Sequence, residues 1–264
     1  MTINGAPVSM LLDTGSERSI VTERTAERLR LPPDTARGSV LRGVGGTTQH
    51  SDAVVRSVRL ANVELIRPPF SIGVLSKSGV SSKLVDGVLG SDLLRAYDLE
   101  LDLDAGRMAL YDVRGCAGSF VTWGPASQRV GLAMAYGSLP FFPVYVNGRA
   151  LTALLDTGAD RSLISARGAA RLGISPEMLA ADPAGFGSGV GRERVGIRLH
   201  RFDSVQVGAE VAHGRSMVVA DLPPLPLDVL IGVDFVRVHR VWLSYATSQL
   251  FLAPLPLLRL TSVP

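Results

Sequence analysis

Apolar and polar positions alternate along most of this chain with the period of half-buried strands. Val54, Arg56, Val58 and Leu60 follow this spacing, as do Val195, Ile197 and Leu199 and then Val205 and Val207. Leu99, Leu101 and Leu103 return through Ala105-Gly106 to Met108 and Leu110, and Val241, Leu243 and Tyr245 return to Leu250 and Leu252, which predicts two hairpins. At the N-terminus Ile3 leads into Asn4-Gly5, a tight-turn pair, and Val8 to Leu12 read as an apolar strand. Helical signals are short. Thr22 caps a helix reaching about Leu29, ended by Leu31-Pro32-Pro33, and Ser165 caps another with Ala169 and Leu172 on one face and Gly173 as its stop. Ser91 to Tyr97 and Val233 to Arg240 read as short helical turns. The chain is therefore expected to be mainly β with short helices.

The pattern is written twice. Laid over each other without a gap, Ile3 to Thr22 and Val146 to Ser165 share nine of 20 residues, including Asn-Gly, Leu-Leu-Asp-Thr-Gly and Arg-Ser. An apolar-apolar-Gly triplet follows in each copy. Gly90 of Val88-Leu89-Gly90 lies 77 residues after Asp13, and Gly232 of Leu230-Ile231-Gly232 lies 76 after Asp156. Two lobes are predicted, 1–113 and 139–264, joined by a linker at 114–138 in which Gly115, Gly118, Gly124, Pro125 and Gly137 break regular structure. The copies differ at their edges. Leu139 to Tyr145 forms a strand ahead of the second Asn-Gly, whereas only Met1-Thr2 precede the first. The expectation is that the linker supplies the missing strand, or that the chain starts inside a longer protein with a leader upstream of Met1. The polar loop Ser76 to Lys83 is matched by the stiffer Leu222-Pro223-Pro224-Leu225-Pro226.

Each apolar strand end runs straight into Asp-Thr-Gly: Asp13-Thr14-Gly15-Ser16 and Asp156-Thr157-Gly158-Ala159. Such a turn shelters a short carboxylate and offers it backbone N–H donors. Two full sets in register, each completed by its apolar-apolar-Gly, resemble the aspartic peptidases, and the short lobes resemble the retropepsin-like branch. A lone Asp-Thr-Gly would be an ordinary turn. The resemblance implies two pseudo-twofold-related β-barrel lobes with Asp13 and Asp156 as the catalytic pair. Two carboxyls held that close share one proton, the behaviour known for the aspartic-peptidase dyad. It further implies that Thr14 and Thr157 hydrogen-bond to the opposite loop, that Gly15 and Gly158 admit backbone donors, and that Ser16 and Ala159 complete the support. Gly43, Val44, Gly45 and Gly46, with Gly189, Val190 and Gly191 in the copy, become flap hairpins over a peptide or protein substrate. The implied reaction is peptide-bond hydrolysis by one activated water, without covalent intermediate or cofactor. The Ser16 hydroxyl, absent at Ala159, is expected to donate to its carboxylate and tune a mildly acidic to neutral optimum.

Composition narrows the alternatives. The 264 residues are 46% apolar and only 19% charged, enough for buried cores in two domains. The net charge of +3 comes from 25 Arg and two Lys scattered without a basic run, so nucleic acid is not an expected partner. No apolar run approaches the length of a membrane span. His50, His200, His213 and His239 lack metal-ligand spacing, and no metal is expected. The glycine string from Gly185 to Gly191 is followed by no long helix, so it reads as a hairpin turn and not a phosphate loop. Trp123 is expected to pack across the lobe interface. The Pro- and Leu-rich tail after Ala253 is expected to dock there too. Cys116 is the one cysteine and leaves the compartment open between periplasm and cytoplasm, and the Arg, Ala and Gly content suits a GC-rich bacterial genome. The two copies supply both aspartates, so a monomeric pseudo-dimer is expected. The alternative is a non-catalytic peptide-binding protein that keeps the peptidase fold.

Overall fold

The computed structural model describes residues 1–43, 46–73, 85–113, 121, 123–124, 127–188, 194–222 and 227–255. In the first half the elements are β1 (Thr2–Ile3), β2 (Ala6–Pro7), β3 (Met10–Leu12), β4 (Ile20–Thr22), α1 (Glu23–Arg28), β5 (Pro33–Gly43) and β6 (Gly46–Ala53). They continue with β7 (Ser57–Leu60), β8 (Val63–Ile66), β9 (Phe70–Gly73), β10 (Gly87–Leu89), α2 (Ser91–Leu94), β11 (Asp98–Asp102) and β12 (Arg107–Tyr111). Asn4 and Gly5 both take positive φ, 49° and 83°, the backbone of a tight hairpin turn. The Asn4 side chain accepts from the N–H groups of Arg56 and Ser57, which fastens that turn to the strand beside it. Thr22 caps α1 by accepting from Thr25 N at 3.2 Å. The strands form a small sheet β2-β1-β7-β8 and a larger one β3-β10-β4-β9-β6-β5, closed over a core that includes Ile3, Val21, Val58, Phe70, Leu89 and Leu94.

The second half repeats this plan with longer strands. Its elements are β13 (Gln128–Gly131), β14 (Ala133–Ala135), β15 (Leu139–Val146), β16 (Arg149–Leu155), β17 (Leu163–Ser165), α3 (Ala166–Arg171) and α4 (Pro176–Ala180). Then come β18 (Ala184–Ser188), β19 (Arg194–Val207), β20 (Glu210–Ala220), β21 (Val229–Ile231), α5 (Val233–Val236), β22 (His239–Ser244) and β23 (Gln249–Pro254). One sheet runs β14-β15-β16-β21-β17-β20-β19-β18, and a further pairing of β15 with β19 closes six of these strands into a ring. The lobe is thus a barrel. The hydrogen bonds repeat as well as the residues. Asn147 accepts from Asp203 N and Ser204 N, as Asn4 does from its neighbours, and Ser165 caps α3 through Gly168 N.

The linker departs from expectation. The stretch read as irregular carries β13 and β14, which pair with β23 and β15 and so belong structurally with the second half. Helix α4 was also not expected, although Ser175 caps it and Pro176 opens it, a recognised start signal. The turns after Gly90 and Gly232 are shorter than the sequence implied, four residues of helix each.

The two halves share one sheet, β12-β11-β22-β23-β13. Leu99 pairs with Leu243 and Leu101 with Val241, all four buried. Polar anchors lie along the same seam. Trp242 Nε1 donates to Asp98 at 3.0 Å, and Arg240 reaches Glu100, which also accepts from the Tyr111 hydroxyl at 2.6 Å. Tyr111 stacks on Trp242 at 4.3 Å, and the Arg240 guanidinium lies 4.7 Å from the Trp123 ring centre. Trp123 therefore packs over the shared sheet, as expected. The tail residues 256–264 and Cys116 lie outside the described residues.

Candidate active site

Each Asp-Thr-Gly loop hangs from a strand held on its partner's register. β3 runs parallel to β10 with Leu12 opposite Leu89, and β16 runs parallel to β21 with Leu155 opposite Ile231. The ladder then continues into the loop, where Asp13 N donates to Leu89 O at 3.0 Å and Asp156 N to Ile231 O at 2.9 Å. Gly90 and Gly232 come next. A Cβ on either would strike loop backbone, at Arg18 in one half and at Ala159 and Arg161 in the other, which explains the glycine of the apolar-apolar-Gly triplet.

A serine locks each crossing. Gly90 N donates to Ser19 Oγ, which donates to Asp92, and Gly232 N donates to Ser162 Oγ, which donates to Asp234; each half uses 3.0 and 2.7 Å. These are the serines of the repeated Arg-Ser pairs. Their aspartates were not singled out from the sequence, although Asp92 and Asp234 each stand two places after the key glycine.

The loops are bound to each other through their threonines. Thr14 Oγ1 donates to Leu155 O at 2.7 Å and accepts from Thr157 N at 3.2 Å. Thr157 Oγ1 donates to Leu12 O at 2.8 Å and accepts from Thr14 N at 3.1 Å. All four bonds are largely out of water, where an unmade bond is costly. The grip brings the two carboxyls together. Each lies against the glycine of the other loop, so that a Cβ on Gly15 or Gly158 would collide with the carboxyl of the opposite half.

The electrostatics follow from that proximity. Burial first, then the charge of Asp156, push the Asp13 carboxyl well above the ordinary carboxylate range, and burial raises Asp156 too. Opposing this, Gly15 N donates to Asp13 at 2.9 Å and Gly158 N to Asp156 at 2.8 Å, and the backbone of Ser16 and Ala159 contributes alike in the two halves. The pair therefore keeps one proton to a pH at which isolated aspartates have lost theirs.

The Ser16 hydroxyl is elsewhere. It donates to Arg18 O at 2.8 Å, so the support that Ser16 gives Asp13 comes from its backbone, which Ala159 matches. The expected asymmetry between Ser16 and Ala159 is corrected accordingly. Of the flap residues, Gly43 and Gly46 face each other as the last paired positions of β5 and β6. Val44, Gly45, Gly189, Val190 and Gly191 lie outside the described residues. Among the described residues no three His, Cys, Asp or Glu side chains are placed to hold a metal ion, and no helix is long and apolar enough to cross a membrane.

Two family models divide the chain between them. One, described as "Aspartyl protease", matches residues 1–93, and another, described as "gag-polyprotein putative aspartyl protease", matches residues 142–238. The chain belongs to the retropepsin-like aspartic peptidase family. Protein DDI1 homolog 2 of Xenopus tropicalis and that of Xenopus laevis are each 24% identical to this retropepsin-like chain over 164 residues, 61% of its length. The match spans 39% of the length of those relatives. A retropepsin-like aspartic protease of Rickettsia conorii, known from a crystal structure, aligns with 50% of the chain and 96% of its own at 17% identity and a TM-score of 0.36.

The structure also holds a repeated ion pair that sequence reasoning missed. Asp86 binds Arg28 at 2.6 Å, and Asp228, fully buried, binds Arg171 at 2.5 Å with Arg167 beside it. The signal was present, because Arg28 and Arg171 hold matching places in the gap-free overlay when it is carried past Thr22.

Proposed function

We propose that this retropepsin-like chain is a single-chain aspartic endopeptidase whose catalytic pair is Asp13 and Asp156. The observation that carries the proposal is the pair of buried carboxyls that the crossed threonine bonds draw together, each against the glycine of the opposite loop. In the proposed reaction one water lies between the two carboxyls. The ionised carboxyl takes a water proton as the oxygen bonds to the scissile carbonyl carbon, and the protonated carboxyl gives its proton to the carbonyl oxygen. A neutral tetrahedral diol results. Its collapse breaks the C–N bond, with one proton passing to the leaving nitrogen and one returning to the pair. No covalent enzyme intermediate forms, and the roles belong to the pair and not to a fixed member.

The substrate is an extended peptide or protein segment, added as a strand between the lobes and covered by the β5–β6 and β18–β19 hairpins. One chain supplies both halves of the pair, so a monomer suffices.

The test is cleavage of an unstructured peptide library from about pH 3 to about pH 8 by the parent and by Asp156→Asn. Cleavage that disappears in the variant supports the proposal. A folded parent that binds peptides without cutting them overturns it in favour of a peptide-binding protein on the peptidase fold.

A further inference from the structure

The apolar core of the second half opens beside α5. A cavity of about 220 Å³ lies where that helix meets β19 and β20, floored by Val207, Met217, Ile231 and Phe235. The first three are buried residues of the core, and Phe235 packs against it. Part of the cavity wall is the Ser162–Asp234 lock. Both residues line the cavity, and Asp234 Oδ1 accepts from Ser162 N at 2.8 Å and from the Ser162 hydroxyl at 2.7 Å. The same hydroxyl oxygen accepts from Gly232 N, and the carbonyl of Ile231 accepts from Asp156 N. One cavity therefore touches three of the residues that fasten the Asp156 loop. The first half differs, because Asp92 keeps its second carboxylate oxygen buried whereas Asp234 is exposed.

The mouth of the cavity carries charge. Glu210 is engaged by His239 Nε2 at 2.7 Å, and the other ring nitrogen of His239 meets Phe235 O at 2.8 Å. Asp234 is engaged by Ser162 and by Phe235 N. Arg215 lines the same cavity, is exposed, and has no ion-pair or hydrogen-bond partner among the described residues. The unanswered group is thus a guanidinium beside an apolar floor, and a guanidinium matches a carboxylate through two parallel N–H donors. We propose that this cavity binds a small monocarboxylate with an apolar body, its head on Arg215 and its body on the floor, and that the occupant braces the Asp156 loop through Ser162 and Asp234. A cavity of about 150 Å³ accepts benzene, so this one has room for a ring and a short chain. A ligand seated against the closed lock binds that arrangement and not its openings, which shifts the balance toward the lock.

The test is titration of the full chain with phenylbutyrate and with its uncharged analogue phenylbutanol, followed by amide NMR at about pH 7, where the carboxylate is ionised. Phenylbutyrate is expected to saturate with a Kd of about 1 mM or tighter, shifting the amides of Met217, Ile231 and Phe235. Arg215→Gln changes an exposed side chain without a partner, so the fold persists. It should weaken phenylbutyrate about tenfold and leave phenylbutanol unchanged. At saturation, hydrogen exchange at Gly232 N and Asp156 N is expected to slow about fivefold. No saturable shift up to about 10 mM overturns the proposal, as does equal binding of phenylbutyrate by parent and Arg215→Gln. Binding that leaves exchange at both amides unchanged refutes the bracing of the loop. None of these readouts needs cleavage, so they decide the matter even where the peptidase reading fails.

Discussion

Thr14→Val is the sharpest probe of how the halves are held. The substitution keeps the shape of a side chain that is wholly buried and removes one hydroxyl. That hydroxyl makes two cross-lobe bonds, to Leu155 O at 2.7 Å and from Thr157 N at 3.2 Å. Valine leaves one carbonyl and one N–H buried without partners, each costing about 1–3 kcal/mol. The sum is about 2–6 kcal/mol, a large share of a stability that is typically about 5–15 kcal/mol. Thr14→Ser keeps the hydroxyl and loses one buried methyl, a cost of about 1 kcal/mol. Equilibrium urea unfolding of parent, Val and Ser variants measures both, and peptide cleavage reads the same perturbation at the carboxyls. A misplacement of about 1 Å costs on the order of 100-fold in rate, so activity should fall further with Val than with Ser. A Thr14→Val variant within about 1 kcal/mol of the parent would refute the claim that these bonds join the halves.

Two further outcomes test the electrostatics. The pair binds a proton more tightly folded than unfolded, so its contribution to stability is complete below the unfolded carboxylate pKa and is lost as pH rises through the raised folded value. Asp156→Asn takes away the Asp156 carboxyl and its charge but leaves Asp13 buried, so it removes part of this loss; urea unfolding should show it gaining on the parent as pH rises above about 4, and a gap independent of pH would contradict the assignment. Ser16→Ala should leave the pH–rate profile in place and cost only about 0.5–1.5 kcal/mol in stability, because its hydroxyl serves Arg18 O and not Asp13; a displaced profile would restore the asymmetry that the sequence suggested.

The sequence was most legible where chemistry and backbone geometry coincide. Asn4-Gly5 and Asn147-Gly148 announce hairpins because positive φ suits those residues, and all four take it. The Asp-Thr-Gly loops and their distant Gly90 and Gly232 could be paired because close approach tolerates no side chain there. Legibility failed where pairing is non-local. Gln128-Arg129-Val130-Gly131 has too few apolar positions to show a strand period, and it is a strand because β23 offers it an edge. The Asp98–Trp242 bond joins residues 144 apart, for which no local pattern exists. The Ser16 expectation failed for a related reason, because a hydroxyl chooses the nearest well-placed acceptor and the loop backbone supplied one first.

The sheet shared by the halves governs how this protein folds. β11 leaves a synthesising ribosome long before β22, which must wait for residues 239–244, and Leu99 cannot find Leu243 until the second half has emerged. Until then the β11–β12 hairpin offers one open edge, rich in leucine, to any neighbouring chain. Non-local pairing of this kind makes for slow maturation and a window for mispairing between nascent copies. Fusion of the two halves limits that hazard by keeping the right partner tethered, at a local concentration no separate subunit could match.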